Sequence, residues 1–247
     1  VAAVGISFGI LKCGGGDDGL YEVRKFQLNI QGALANGIQV GVYFYSGASN
    51  AREAYDEASY CISLIRDYQI TYPVAFDWEL DGDYDSVTEA CETFCNVISS
   101  YGYQPMVYSN RNRWYNNFDG EKIASKYKVW MAAYFGKFYY DSVRWTYGDD
   151  LPNFRYHYDM WQYSSRCYVD GISGQVDVDI AFFGYANYHV DTKDAVLTVT
   201  NKEIKRTYGD GIGRLTEELN LLDGVKGINT IGYDMDIEYS IYDESGN

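Results

Sequence analysis

Two carboxylates separated by one residue stand at the end of an apolar run, Val74-Ala-Phe-Asp-Trp-Glu-Leu-Asp81. In an extended strand, residues two apart point to the same face, so Asp77 and Glu79 enter one cleft. Close carboxylates raise each other's proton affinity, which keeps one of them protonated near neutral pH as a general acid. Acid-assisted cleavage of a glycosidic bond needs such a pair. One carboxyl protonates the leaving oxygen, and a negative group supports the oxocarbenium-like charge. The blander reading is that acids after a strand solvate a loop, the role assigned to Asp81, Asp83 and Asp85. Taken alone, the Asp-x-Glu spacing favours that reading.

Other chemistries fare worse. The chain carries 35 acidic and 20 basic side chains, a net charge of −15, which argues against a nucleic-acid partner. Its two histidines, His157 and His189, form no HExxH pair, which disfavours zinc proteases and Ser-His-Asp hydrolysis. Gly14-Gly-Gly16-Asp-Asp-Gly19 fits the dinucleotide pattern GxGxxG. Two acids inside that loop would repel a pyrophosphate, and the next strand ends Tyr43-Phe-Tyr-Ser46 with no acid for a ribose. The five cysteines, Cys13, Cys61, Cys91, Cys95 and Cys167, include no CxxC pair. Cys61, Cys91 and Cys95 fall on apolar helical stripes, so they are read as buried free thiols. No metal and no organic cofactor is implied. No apolar run reaches the roughly 18 residues of a membrane helix.

The elements that must position Asp77 and Glu79 alternate between strand and helix. Strands are expected at Ile6–Lys12, Gln39–Ser46, Pro73–Leu80, Pro105–Ser109, Lys128–Tyr134, Tyr158–Ser164 and Gln175–Phe183. Helices are expected from about Tyr21 to Asn36, through Cys61, and from the capping box Ser86-Val-Thr-Glu89 to near Gly102. The last three strands lack clear intervening helices. Such a pattern predicts an α/β fold with a parallel sheet covered on both faces, and its size suits a small barrel. A closed barrel wants an eighth strand, whose natural place is before Val1. From about Ala186 the pattern changes to short, alternating strands such as Ala195–Val199 and the run through Met235, Ile237, Tyr239 and Ile241. This second module is all-β and resembles a bacterial immunoglobulin-like repeat, short of its final strand. The expected division is a barrel over 1–187 and a β module over 188–247.

Residues 1 to about 186 resemble glycoside hydrolase family 25, the muramidases. The resemblance rests on Gly5-Ile-Ser-Phe, Lys12-Cys-Gly-Gly-Gly, Gly37-Ile-Gln-Val-Gly-Val-Tyr-Phe-Tyr-Ser46 and Tyr72-Pro-Val-Ala-Phe-Asp-Trp-Glu79. It continues through Tyr108-Ser109, Trp130-Met-Ala-Ala-Tyr134, Trp161-Gln-Tyr163 and Gly171-Ile-Ser-Gly-Gln-Val-Asp177. It implies a TIM-like (β/α)5(β)3 barrel, here lacking its first strand and the cleft aspartate that strand carries. Both ends of the chain are read as cut.

Carried over by position, the resemblance makes Glu79 the general acid, Asp77 its partner carboxylate and Asp177 a further cleft aspartate. It makes Tyr43, Tyr45, Tyr108, Tyr134, Gln162 and Asp179 sugar contacts. Trp78 and Trp161 are read as core or cleft floor, with Trp161 counted among the sugar contacts. Trp114, Tyr115, Phe118, Phe138, Tyr139, Tyr140, Trp145 and Tyr147 either stack on sugars or pack under loops. The implied activity is hydrolysis of the β-1,4 bond between N-acetylmuramic acid and N-acetylglucosamine in peptidoglycan, outside the cell or at its surface. The rival is a glycan-binding or adhesin barrel without turnover.

Overall fold

Runs such as Gln39-Val-Gly-Val-Tyr-Phe-Tyr45 are apolar at odd and even positions alike, which suits strands covered on both faces. The computed structural model describes residues 1–134 and 151–182, and the backbone of short strands at 196–199, 225–228 and 234–235. After a 3-10 turn at Ala2–Val4 come β1 (Phe8–Gly15), β2 (Tyr21–Glu22), α1 (Phe26–Ala35), β3 (Gln39–Tyr45) and α2 (Ala51–Ile65). Then follow β4 (Val74–Asp77), α3 (Tyr84–Ser100), β5 (Pro105–Asn110), α4 (Arg111–Asn116), α5 (Gly120–Ala124), β6 (Lys128–Ala132), β7 (Met160–Cys167) and β8 (Val176–Ala181).

These eight strands form one sheet in the order β2-β1-β3-β4-β5-β6-β7-β8. Neighbours from β1 through β7 run parallel, while β2 and β8 pair antiparallel at the two ends. Among the described residues β1 and β8 do not pair, so the expected barrel is a curled, open sheet. Its curl is visible in one cluster: Phe8 and Ile10 of β1 and Ala181 of β8 pack against Ala75, Met106, Tyr108, Trp130 and Met160.

The opposite face carries a second buried layer. There Val42, Phe44, Val74 and Phe76 are fully buried beneath α2 and α3, which contribute Ala58, Cys61, Ile65, Cys91, Phe94 and Ile98. The Phe94 ring sits 5.1 Å from Phe76 and 6.1 Å from Phe44. Each buried side chain of this size contributes about 2 kcal/mol. All five cysteines are buried and unbridged.

Several boundaries differ from the sequence expectation for identifiable reasons. The first helix starts at Phe26 rather than near Tyr21, because Tyr21–Glu22 pairs with Gly14–Gly15. That pairing needs glycine: a Cβ on Gly14 would stand 2.5 Å from the Tyr21 carbonyl oxygen. The third helix starts at Tyr84, two residues before the expected capping box. Asp83 does the capping, accepting from the Ser86 N–H at 3.1 Å and its hydroxyl at 2.9 Å. Short helices α4 and α5, which were not expected, are capped by Asn110 and Asp119.

The glycine loop after β1 is not an anion cradle. A Cβ on Gly16 would lie 2.0 Å from Glu57 Oε1, so a carboxylate already fills the space beside that backbone. Glu57 projects from α2 and is buried. It accepts from the Ser46 hydroxyl at 2.5 Å and the Gly47 N–H at 2.8 Å, tying down the loop that follows β3.

The second compact unit comprises Ser100–Gly102 and Val190–Asn247, the first Val1–Ser99 and Tyr103–His189. In the second, β9 (Val196–Val199), β10 (Val225–Ile228) and β11 (Asp234–Met235) form an antiparallel sheet in the order β11-β10-β9. The expected strand residues Ile237, Tyr239 and Ile241 lie outside the described residues. Among the described residues no helix is long and apolar enough to cross a membrane.

Burial lifts the Glu57 carboxyl from its ordinary 4.5 to about 7, against the lowering effect of its two donors. Ionisation is therefore disfavoured in the folded state. The stability linked to this group is complete below pH 4.5 and is lost as pH rises to about 7. Glu57→Gln removes the loss: in denaturant melts it should gain about 3 kcal/mol relative to the parent between those limits. A constant difference across that range would contradict the assignment.

Candidate active site

Parallel register sets the site. Tyr45 is level with Asp77, Asp77 with Tyr108, Tyr108 with Trp130 and Trp130 with Met160. Strand alternation then places Tyr43, Tyr45, Asp77, Tyr108, Trp130 and Gln162 on the concave face, at the C-terminal ends of the parallel strands. Two backbone ties hold the end of β4: the Ser46 N–H donates to the Asp77 carbonyl at 2.8 Å, and the Ser109 hydroxyl donates to the Trp78 carbonyl at 3.0 Å.

Asp77 lies on the floor, 4% exposed, and its Oδ1 has no hydrogen-bond partner among the described residues. Burial holds its carboxyl well above the ordinary range, with the Glu79 and Asp177 charges adding to the rise and Lys12 and Arg113 opposing it. Glu79 stands two residues further toward the mouth and is half-buried. Its carboxyl is raised by desolvation and by Asp177, and lowered by Arg113 and then Lys12. Asp177, on β8, is the most open of the three, and partial desolvation raises it too. Asp77 at the end of β4, Glu79 just beyond it and Asp177 on β8 thus each hold their proton longer than in water.

Aromatic and amide groups line the same face. Gln162 is buried and accepts through Oε1 from the Tyr108 hydroxyl at 2.8 Å and from the Tyr134 hydroxyl. Tyr134 is 52% exposed, so its ring forms part of the open wall. Tyr43 meets the Trp130 ring edge-on at 6.3 Å, and burial beside Asp77 pushes its phenol up. Asp179 accepts from the Trp130 indole N–H at 2.7 Å, yet burial still raises its carboxyl to about 8.

One expected sugar contact faces the wrong way. Trp161 has the opposite parity to Gln162, is fully buried, and donates its indole N–H to the Ala133 carbonyl at 2.9 Å. It packs 5.8 Å from Tyr163 and braces the end of β6 from outside the cleft. Trp78 is likewise core. Trp114 and Phe118 resolve as packing residues, buried with Phe154 and Tyr156 at ring distances of 4.9–6.2 Å from the Trp114 indole. Tyr115 stacks on Phe154 at 5.5 Å. Phe138, Tyr139, Tyr140, Trp145 and Tyr147 lie outside the described residues.

Sequence reasoning missed two cations. Lys12 extends from β1 over the Tyr45 ring, 4.4 Å from its centroid, and also faces Tyr21 at 5.7 Å. Arg113 reaches across from α4, its Nε donating to the Leu80 carbonyl at 3.2 Å. The signal for Lys12 was its parity with Phe8 and Ile10. Arg113 sits in a short helix that has no periodic pattern. Among the described residues no three His, Cys, Asp or Glu side chains are placed to hold a metal ion.

Comparison with known proteins fits this geometry. The chain is 29% identical over 137 residues to a lysozyme of Streptococcus phage Cp-1, covering 51% of this chain and 37% of that protein. It is 25% identical over 213 residues to an autolytic lysozyme of Clostridium acetobutylicum, covering 81% of this chain and 56% of the relative. It therefore spans less than two thirds of either. Among solved structures it resembles the modular autolysin LytC of Streptococcus pneumoniae, in complex with a synthetic peptidoglycan ligand. The TM-score is 0.56 at 27% identity, over 70% of this chain and 40% of that one. The model of the glycosyl hydrolases family 25 matches residues 1–172, and the chain belongs to that family.

Proposed function

We propose that the chain is a peptidoglycan muramidase, hydrolysing the β-1,4 bond between N-acetylmuramic acid and N-acetylglucosamine. The observation that carries this reading is the convergence of Asp77, Glu79 and Asp177 at one end of the sheet, all three with raised proton affinity. Family membership and the lysozymes among its relatives support the same reaction.

In this reading Glu79 is the proton donor. It is nearer the mouth than Asp77 and half-buried, so its acid proton reaches a glycosidic oxygen laid along the cleft. Asp77, sealed on the floor with an unpartnered Oδ1, accepts a hydrogen bond from the substrate or balances the developing positive charge. Asp177 adds negative potential from β8. Tyr43, Tyr45, Tyr108, Tyr134, Gln162 and Asp179 line the saccharide path, with Gln162 fixing the two tyrosine hydroxyls that converge on it. Peptidoglycan as substrate places the action outside the cell or at its surface. We assign the tail from about residue 188 to an immunoglobulin-like β module, a reading supported by its antiparallel β11-β10-β9 sheet.

Release of new reducing ends from purified cell walls tests the assignment. Glu79→Gln should lower the rate by roughly a hundredfold or more while leaving wall binding intact. Equal release by the variant would refute the donor role, and wall binding with no release by the parent would favour a glycan-binding barrel. Gln162→Met removes the acceptor that the Tyr108 and Tyr134 hydroxyls share. It should cost about 1–2 kcal/mol of stability and raise KM more than it lowers kcat. An unchanged KM would place Gln162 outside the saccharide path.

A further inference from the structure

Arg113 is fixed at both ends and, among the described residues, unpaired at its charge. Its backbone N–H donates to the Asn110 side chain at 3.1 Å, the cap of α4, and its Nε donates to the Leu80 carbonyl, one residue past Glu79. The guanidinium is half-buried, makes no ion pair among the described residues, and offers terminal nitrogens with no hydrogen-bond partner there. This is unusual in a chain with 35 acidic and 20 basic side chains. Its Nε contact to Leu80 sets it next to the segment that carries Glu79, and its charge acts on Asp77, Glu79 and Tyr45.

A cleft with three carboxylates repels an anionic glycan, and the proposed substrate is anionic. Muramic acid bears a lactyl carboxyl group, free where no peptide is attached; where a peptide is joined to it as an amide, the peptide supplies carboxylates instead. A fork of guanidinium N–H groups matches a carboxylate in bidentate geometry. We propose that Arg113 is a specificity residue that receives a carboxylate of the glycan substrate at the mouth of the cleft, an inference that rests on the muramidase reading. Binding there has a second consequence. A substrate carboxylate neutralises the cation that otherwise favours ionised Glu79, so the acid keeps its proton when substrate is seated and releases it more readily when the cleft is empty.

The test compares three soluble wall glycans: one stripped of peptide with its lactyl carboxylates free, the same glycan with those groups converted to methyl amides, and one that retains peptide. Affinity is measured by calorimetry in the Glu79→Gln background, so the glycan is not consumed, and KM in the parent. Arg113→Gln should weaken binding and raise KM roughly tenfold on the free-carboxylate glycan and leave the amidated one unchanged. Arg113→Lys should restore part of the loss. A loss confined to the peptide-bearing glycan supports the proposal and assigns the carboxylate to the peptide. Equal losses on the free and amidated glycans, or no loss on any, overturn it. Arg113→Gln should also move the alkaline limb of kcat/KM, which reports the empty cleft, to higher pH, because removing the cation strengthens the hold of Glu79 on its proton. If the carboxylate-dependent binding appears but the parent releases no reducing ends, the muramidase reading fails while the role of Arg113 stands.

Discussion

Crowding of like charge in a space with little water is the constraint on which the molecule turns. Asp77, Glu79 and Asp177 would separate or ionise freely in solvent; here the sheet does not let them. Asp77 is fixed by register between Tyr45 and Tyr108, with its carbonyl held by the Ser46 N–H. Glu79 follows from the alternation of the same chain, and Asp177 arrives on the antiparallel end strand β8. The unfavourable electrostatics must be offset elsewhere, and the offset lies on the other face. Phe44, Phe76 and Phe94, with the stripes of α2 and α3, bury apolar surface against the strands that carry the acids. The helix-covered face is apolar, and the concave face carries the acids beside its own apolar cluster.

The loops at the strand ends are built to keep that division sharp. Glu57 secures the turn after β3, directly beyond Tyr45. Asn110 and Ser109 organise the turn after β5, and Arg113 links it to the end of β4. On the outer side, Trp114, Phe118, Phe154 and Tyr156 pack together beside α4. Phe154 and Tyr156, shortly before β7, close this aromatic cluster.

Much of this arrangement could be read from residues alone because it depends on parity and local spacing. The Asp77–Glu79 relation, the strands through Pro105 and the buried stripes containing Cys61 and Cys91 are of that kind. The failures share another cause. The α1 boundary moved because two glycines admit Tyr21 beside β1, a contact between chain neighbours with no periodic signature. The parity that selects Gln162 for the concave face sends Trp161 outward, and an aromatic next to a cleft residue looks the same in sequence whichever way it points. Arg113 and Glu57 were invisible because their roles come from tertiary approach: a guanidinium meeting a carbonyl 33 positions away, and a helical carboxylate inserted beside a glycine loop.

The fold raises the proton affinity of all three acids, most completely by burial at Asp77 and least at the more open Asp177. Carboxyl-carbon NMR of the free protein, titrated from acid to neutral pH with each residue assigned by substitution, measures this directly. Asp77, Glu79 and Asp177 should all titrate above ordinary carboxylates, and Asp177→Asn should lower the midpoint of Glu79. Three independent midpoints at ordinary carboxylate values, unmoved by that substitution, would contradict it.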